Sequence, residues 1–175
     1  MGGIERRDIV AAGLAAGLAM VAGTPAAAAP ADGKPSAALP PPVPDAALAA
    51  LVERARAAAA NAYAPYSRFT VGAAVLADDG QVFAGCNVEN ASYGLTICAE
   101  RNAVFRMVAE ARRQIRAVAI YTPTKTPTAP CGACRQVLNE FGPDAVIVSA
   151  CDAPERTVAR LSELLPGAFG PANLK

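Results

Sequence analysis

The chain has 175 residues, a length typical of one domain, and 53% of them are hydrophobic. Its 16 lysines and arginines balance 15 aspartates and glutamates, and the body of the chain has no basic run, which argues against a protein that binds long nucleic acid. The sequence contains no histidine, so Ser-His and Cys-His catalysis are excluded.

The first 44 residues differ in composition from the rest. Arg6 and Arg7 precede an uncharged, alanine-rich run at 9–23, and small residues follow at 24–29. This order predicts a signal peptide of the twin-arginine type at 1–29, and hence export to the periplasm or the extracellular space. The alternatives are a disordered tail on a cytoplasmic enzyme or a retained anchor, although the apolar run is short for a stable membrane span. The proline-rich residues 30–44 predict a linker to a domain at 45–175.

The first elements of that domain are a helix and a hairpin. Asp45 is a predicted N-cap, and leucine, valine and alanine recur at helical spacing up to about Ala62. Two β-rich runs at 69–77 and 81–88 flank Asp79 and Gly80, a strong signal for a hairpin turn.

Helices and strands alternate in the second half of the domain. A helix is predicted over 98–113, a buried strand over 117–121, and a second helix from Cys131 through Phe141, where Gly142 and Pro143 end it. Strands follow at 145–150 and 156–159, then a short helix at 161–165. The order favours an α/β domain of three layers around a mixed sheet.

Three cysteines and one glutamate suggest a metal centre. Cys131 and Cys134 have the spacing at which two thiolates bind one Zn²⁺, and Cys98 is the candidate third ligand. Three protein ligands leave one position for water, as in catalytic zinc sites. Glu100, two residues after Cys98, can then move protons without binding the metal. A redox CxxC pair and a purely structural zinc site are the alternatives.

Two further cysteines and an arginine lie outside this predicted ligand set. The chain has an odd number of cysteines, five, which disfavours a disulfide framework; Cys86 and Cys151 are expected to be small buried residues.

Both cysteine motifs are predicted at helix starts, where the helix dipole stabilises thiolates. Three thiolates around Zn²⁺ sum to a net negative charge, which Arg101 is the candidate to counter; an ordinary surface charge is the alternative.

Asn87 and Glu89 offer an amide and a carboxylate at one strand end. Residues two apart on a strand project to the same face, so the pair can hold one hydroxyl of a ligand from two sides. The alternative is a polar edge of the hairpin.

Several motifs together resemble the homotetrameric cytidine deaminase family. The matching segments are Tyr66-Ser67-Arg68-Phe69, Gly85-Cys86-Asn87-Val88-Glu89-Asn90, Cys98-Ala99-Glu100-Arg101, Pro130-Cys131-Gly132-Ala133-Cys134-Arg135-Gln136 and Leu164-Leu165-Pro166-Gly167-Ala168-Phe169-Gly170-Pro171. The pattern Cys-x-Glu followed by Pro-Cys-x-x-Cys is that of zinc deaminases. The resemblance implies a three-layer α-β-α fold with a mixed five-stranded sheet, one Zn²⁺ per subunit, and a homotetramer with shared active sites.

The resemblance also implies roles for individual residues. Glu100 is the proton shuttle, and the Ala99 N–H holds the pyrimidine O2. Asn87 and Glu89 bind the 3′-OH of the sugar, and Arg101 donates hydrogen bonds to the ligand sulfurs. The aromatic residues expected at the substrate are Phe69, Phe169, which reaches into a neighbouring subunit's site, and, on weaker grounds, Tyr93; for the two phenylalanines the alternative is plain core.

The function that the resemblance implies is zinc-dependent hydrolytic deamination of cytidine and 2′-deoxycytidine in pyrimidine salvage or scavenging. The substrate is then a small nucleoside, and no nucleic acid partner is expected. One alternative is deamination of another aminopyrimidine nucleoside such as blasticidin S. Another is a zinc-stabilised fold without activity, against which Glu100 argues.

Overall fold

The computed structural model describes residues 42–174, and the predicted signal peptide and most of the predicted linker lie outside them. The elements are α1 (Asp45–Ala59), β1 (Gly72–Ala77), β2 (Val82–Cys86), α2 (Ala99–Ala109), β3 (Ile115–Tyr121), α3 (Gly132–Phe141), β4 (Val146–Ala150), β5 (Arg156–Arg160) and α4 (Leu161–Leu164). Short 3-10 turns lie at Tyr93–Leu95 and Pro171–Leu174. None of the helices in 42–174 combines the length and the hydropathy needed to span a bilayer.

The strands form one mixed sheet in the order β2-β1-β3-β4-β5. β3 and β4 are parallel, and α3 connects them; the other neighbouring pairs are antiparallel. The predicted mixed five-stranded sheet is therefore confirmed.

Helices cover both faces of this sheet. Alternate residues of the central strands point to opposite faces, so that Val118 and Ile120 of β3 pack in the cluster with α2 and α3. Ala117, Ala119 and Tyr121 of the same strand pack in the cluster with α1. The result is the predicted three-layer α-β-α arrangement.

Glycines set the distance between the layers. A Cβ built on Gly72 of β1 would lie 1.9 Å from the carbonyl oxygen of Ala55 in α1. A Cβ on Gly85 of β2 would lie 2.6 Å from the backbone nitrogen of Ala103 in α2. Because both contacts are with helix backbone, each helix lies as close to the sheet as a missing side chain allows.

Side chains of α2 also bind the edge strand β2. Arg106 Nη1 donates to the carbonyl of Ala84 at 2.7 Å, and Asn102 Nδ2 donates to the carbonyl of Cys86 at 2.8 Å. These bonds occupy acceptors of an edge strand and fix α2 along it.

Some predicted boundaries are wrong by a few residues. Pro44 is the N-cap of α1, and Asp45 is instead the first helical residue, where its carboxylate lies 3.4 Å from Arg156. α2 ends at Ala109 rather than near 113, because Ala111 has a positive φ of 63°. Such a conformation ends a helix as glycine usually does.

The cysteines outside the metal motif differ from each other. Cys151 is buried, as predicted. Cys86 is only half-buried, since it lies at the end of the edge strand, where its Sγ lies 3.3 Å from the carbonyl oxygen of Asn61.

Candidate active site

Three predicted thiols converge where two helices begin. Cys98 and Cys131 are the N-caps of α2 and α3, and Cys134 lies in the first turn of α3. Their three Sγ atoms all lie within 4.8 Å of one another, and those of Cys98 and Cys131 are 3.9 Å apart. Both helices therefore direct their N-terminal ends, which favour negative charge, toward the sulfurs.

The charge on these sulfurs depends on their neighbours. The pKa of Cys98 is lowered to about 5. The larger cause is a hydrogen bond with Cys134, and a smaller one is the guanidinium of Arg101. The pKa of Cys134 is raised, first by its bond to Cys98 and then by burial. One thiolate is thus stabilised, and further thiolates at this distance need a cation among them.

The donor set fits zinc. Three soft sulfur ligands on two adjacent helix starts favour Zn²⁺ over the hard ions Mg²⁺ and Ca²⁺. The site is asymmetric in exposure, because Cys134 is buried and Cys131 is exposed. The cluster is therefore most accessible from the side of Cys131.

Glu100 lies in the first turn of α2, beside the cysteine cluster. It is only 4% exposed, and burial, with a smaller contribution from Cys98, raises the pKa of its carboxyl group. Residues two apart within a helix point in different directions, but Cys98 precedes the helix with an extended ψ of 157°. That backbone turn brings Cys98 and Glu100 into one neighbourhood.

Arg101 joins the cysteine cluster to the preceding loop. Its Nη2 lies 3.4 Å from both the Cys98 sulfur and the carbonyl oxygen of Thr96. Among the described residues its Nε is a buried nitrogen without a hydrogen-bond partner. The arginine is therefore a local counter-charge to the sulfurs and not an ordinary surface residue.

A cavity of about 380 Å³ opens near this loop. Its lining consists of hydroxyl, carboxylate and aromatic side chains: Tyr66, Ser67, Glu89, Tyr93 and Thr96. The rings of Tyr66 and Tyr93 are 5.8 Å apart, and Tyr93 is 73% exposed. Polar groups and aromatic faces in one cavity suit a sugar, although none of the three clustered cysteines nor Glu100 lines this cavity.

Asn87 and Glu89 lie just beyond the end of β2, not on it. β2 ends at Cys86, and Val88 between them makes isolated bridges to Tyr63 and Ile97. The predicted strand to 88 is therefore too long, since the backbone leaves β1 after Cys86.

The two side chains bind the same loop in different ways. Asn87 is buried; its Nδ2 donates to the Phe69 carbonyl and its Oδ1 accepts the Val71 N–H, both at 2.8 Å. Glu89 accepts the backbone N–H groups of Tyr66 at 2.9 Å and of Ser67 at 3.2 Å. Both side chains therefore help to shape the loop before β1.

The remaining predicted residues divide into buried and exposed ones. Ala99 is fully buried as the first residue of α2, where its N–H has no intrahelical partner. Phe69 is 41% and Phe169 is 59% exposed, so neither is a core residue of the single chain. The Phe169 carbonyl accepts a hydrogen bond from Gln136 of α3 at 2.9 Å, which holds the C-terminal segment against the helix.

A larger cavity of about 790 Å³ lies elsewhere, between α1, β2 and α2. Its lining includes Asn61, Cys86 and Phe105 but none of the three clustered cysteines nor Glu100. Its charged residues are Arg54 and Arg106, and it contains neither a carboxylate nor a metal-binding cluster.

Sequence reasoning assigned no role to Ser67, although it lies inside a motif that carries the resemblance. Its hydroxyl bonds to the Glu89 carboxylate, which is 22 positions away in sequence. No local pattern predicts such a contact. The only available signal was its place between two aromatic residues of that motif.

Residues 46–150 match the model of a family described as "Cytidine and deoxycytidylate deaminase zinc-binding region". The chain belongs to this family. It is 53% identical to a cytidine deaminase of Halalkalibacterium halodurans over 68% of this chain and 91% of that protein. It is 48% identical to one of Mycobacterium tuberculosis over 73% of this chain and 93% of that protein.

Solved structures agree with this membership. A cytidine deaminase from Burkholderia pseudomallei is 51% identical and superposes with a TM-score of 0.67, covering 69% of this chain and 98% of that one. Within the family the cysteine cluster is a zinc site, so the predicted Zn²⁺ is confirmed as the cofactor. The family and fold implied by the sequence are confirmed with it.

Proposed function

We propose that this chain catalyses the hydrolytic deamination of cytidine and 2′-deoxycytidine, in which water replaces the amine and uridine or 2′-deoxyuridine and ammonia are formed. The observation that carries the proposal is a buried carboxyl group, Glu100, beside a cluster of three convergent thiols. The relatives that match over most of their length, at 45–53% identity, are named cytidine deaminases. They do not favour the blasticidin S alternative.

Cys98, Cys131 and Cys134 are the proposed zinc ligands. Bound zinc supplies Lewis acidity, which makes a water molecule acidic enough to react near neutral pH. Arg101 offsets the negative charge of the sulfurs through its contact with Cys98. Without a nearby cation, the negative charge of three thiolates would weaken the Lewis acidity that zinc supplies.

Glu100 is the proposed acid and base. Its carboxylate accepts one proton of water as the water oxygen bonds to C4, and delivers that proton to N3 of the pyrimidine. It then takes the second proton from the oxygen now on C4 and passes it to the amine, so that the C4–N bond breaks, ammonia leaves and the C4 carbonyl forms. Burial suits this role, because a carboxyl group whose pKa is raised holds a proton more readily near neutral pH. The backbone N–H of Ala99, free at the helix start, donates to the pyrimidine O2.

The sugar is proposed to bind between Asn87 and Glu89. Asn87 Nδ2 uses one donor on the Phe69 carbonyl and keeps its second N–H for the 3′-OH. Glu89 accepts from the same hydroxyl. Phe69 and, more weakly supported, Tyr93 offer exposed aromatic faces to the nucleoside.

The active form is proposed to be a homotetramer with shared sites. Phe169 is exposed on a segment that α3 holds by hydrogen bonds to its backbone, so its ring is free to contact another subunit. An exposed aromatic ring on a fixed backbone is well suited to an interface.

Residues 1–29 are proposed to be a twin-arginine signal, followed by a linker at 30–44 and the catalytic domain at 45–175. The support is the order of paired arginines, an apolar run and small residues. A cytoplasmic enzyme with an N-terminal tail is the alternative. The reaction itself suits either pyrimidine salvage or scavenging outside the cell.

The deaminase proposal is tested by Glu100→Gln, with Glu110→Gln as the control, since Glu110 is exposed at the far end of the same helix. Ammonia release should fall by roughly 10²–10⁴-fold in the first variant and stay unchanged in the second. Metal analysis should show equal zinc in all three proteins. Near-native turnover by Glu100→Gln would refute the assigned shuttle.

A panel of substrates tests the reaction. Cytidine and 2′-deoxycytidine should release ammonia, and free cytosine should be a poor substrate because it lacks the sugar. Preferential use of blasticidin S would overturn the proposed substrate class, and no release from any of the four compounds would favour a non-catalytic zinc fold.

A further inference from the structure

The Glu89 carboxylate is held by three donors from the loop before β1. Its Oε2 accepts the N–H groups of Tyr66 and Ser67, and its Oε1 accepts the Ser67 hydroxyl. A carboxylate has about four acceptor positions. The position that stays open is therefore on Oε1, the oxygen that the serine hydroxyl orients.

Ser67 makes a second contact through the same oxygen. Its Oγ accepts the backbone N–H of Phe69 at 3.0 Å. The Phe69 carbonyl is bound in turn by Asn87, so both polar groups of this residue's backbone are held. Between them Arg68 has a positive φ of 58°, a conformation unusual for a residue with a side chain. The loop thus depends on side-chain contacts for its shape.

We propose that Ser67 is a positioning residue that aims the open acceptor of Glu89 at a sugar hydroxyl. The inference deepens the proposed function and rests on it, because it concerns the site at which the nucleoside sugar binds. A carboxylate accepts only, so Ser67 must donate, and the ligand hydroxyl must donate as well.

The location of Ser67 supports this role. It lines the 380 Å³ cavity together with Glu89, so the hydroxyl lies beside the space proposed for the sugar. The bond from Ser67 is also the largest of the effects that lower the pKa of Glu89, so it favours the ionised form, which only accepts hydrogen bonds. Removing the hydroxyl leaves Oε1 without its orienting donor.

The test measures binding of uridine and 3′-deoxyuridine to the zinc-loaded full chain by calorimetry, so that it needs no turnover. The native protein should bind uridine roughly 10–100-fold more tightly, since a charged acceptor loses its donor in the deoxy compound. Ser67→Ala should lower this ratio by about tenfold, mainly by weakening uridine. Ser67→Thr, which retains the hydroxyl, should restore the ratio.

Two controls separate positioning from general loss of structure. Ser92→Ala removes an exposed serine whose side chain makes no capping bond, and it should leave the ratio unchanged. In a Glu89→Ala background, adding Ser67→Ala should not lower the ratio further, because both changes act through one carboxylate. A merely structural serine would weaken both ligands equally.

The proposal is overturned if Ser67→Ala leaves the ratio at its native value, if it weakens both ligands alike, or if its effect persists without Glu89. Equal binding of the two ligands by the native protein would overturn it too. Ammonia release from cytidine is measured separately: its absence alongside an intact binding ratio would refute the deaminase proposal and leave the role of Ser67 standing.

Discussion

Gly85 lies where β2 passes under the first turns of α2, the helix that follows Cys98 and contains Glu100. In Gly85→Ala the new Cβ would lie 2.6 Å from the Ala103 nitrogen, 2.8 Å from the Ala99 oxygen and 3.0 Å from the Asn102 carbonyl carbon. All three are backbone atoms, so no side chain can rotate away to relieve the contacts. The helix and the strand must separate.

The size of the effect follows from these distances. An ordinary contact begins at 3.4 Å, so the shortest contact requires a relative shift of about 0.8 Å. Overpacking of this kind costs about 1–3 kcal/mol, which corresponds to a fall in Tm of roughly 3–10 °C. Because the shift displaces Glu100 relative to the thiols of α3, kcat/KM for cytidine should also fall by roughly 10–100-fold.

Gly94→Ala is the matched control, since a Cβ there meets nothing within 4 Å. Melting temperature, zinc content and kcat/KM are measured for the native protein and both variants. We expect the Gly94 variant to match the native protein and the Gly85 variant to lose both stability and activity. If the two variants cannot be distinguished, close contact with β2 does not position α2.

The other two predictions concern assembly and processing. Sedimentation of the zinc-loaded protein should show a tetramer, and a fully active monomer would exclude shared sites. Phe169→Ala should lower activity more than it lowers zinc content, because the exposed ring is proposed to complete a neighbour's site. N-terminal sequencing of protein isolated from its native host should find a start near Pro30, and the double variant Arg6→Lys/Arg7→Lys should not be exported. An intact N-terminus on protein found in the cytoplasm would exclude cleavage of residues 1–29.

Local patterns were sufficient to predict the elements and the metal site. Helical spacing, the Asp79-Gly80 turn and the Gly142-Pro143 stop predicted the element order that the structure has. The spacing of Cys131 and Cys134, with Glu100 next to a third cysteine, predicted the cluster that α2 and α3 assemble. These predictions succeed because turn chemistry, helix periodicity and ligand spacing are properties of short segments.

The sequence by itself therefore determined the family, the layers of the fold and the chemical groups at its centre. Only the tertiary structure decided how these groups are supported: β2 ends before Asn87, Glu89 binds the loop at Tyr66 and Ser67, and Cys86 stays half-exposed. These features depend on contacts between segments about 20 residues apart. Hydrogen bonds across that distance are set by packing of the whole domain, and no periodicity in the chain encodes them.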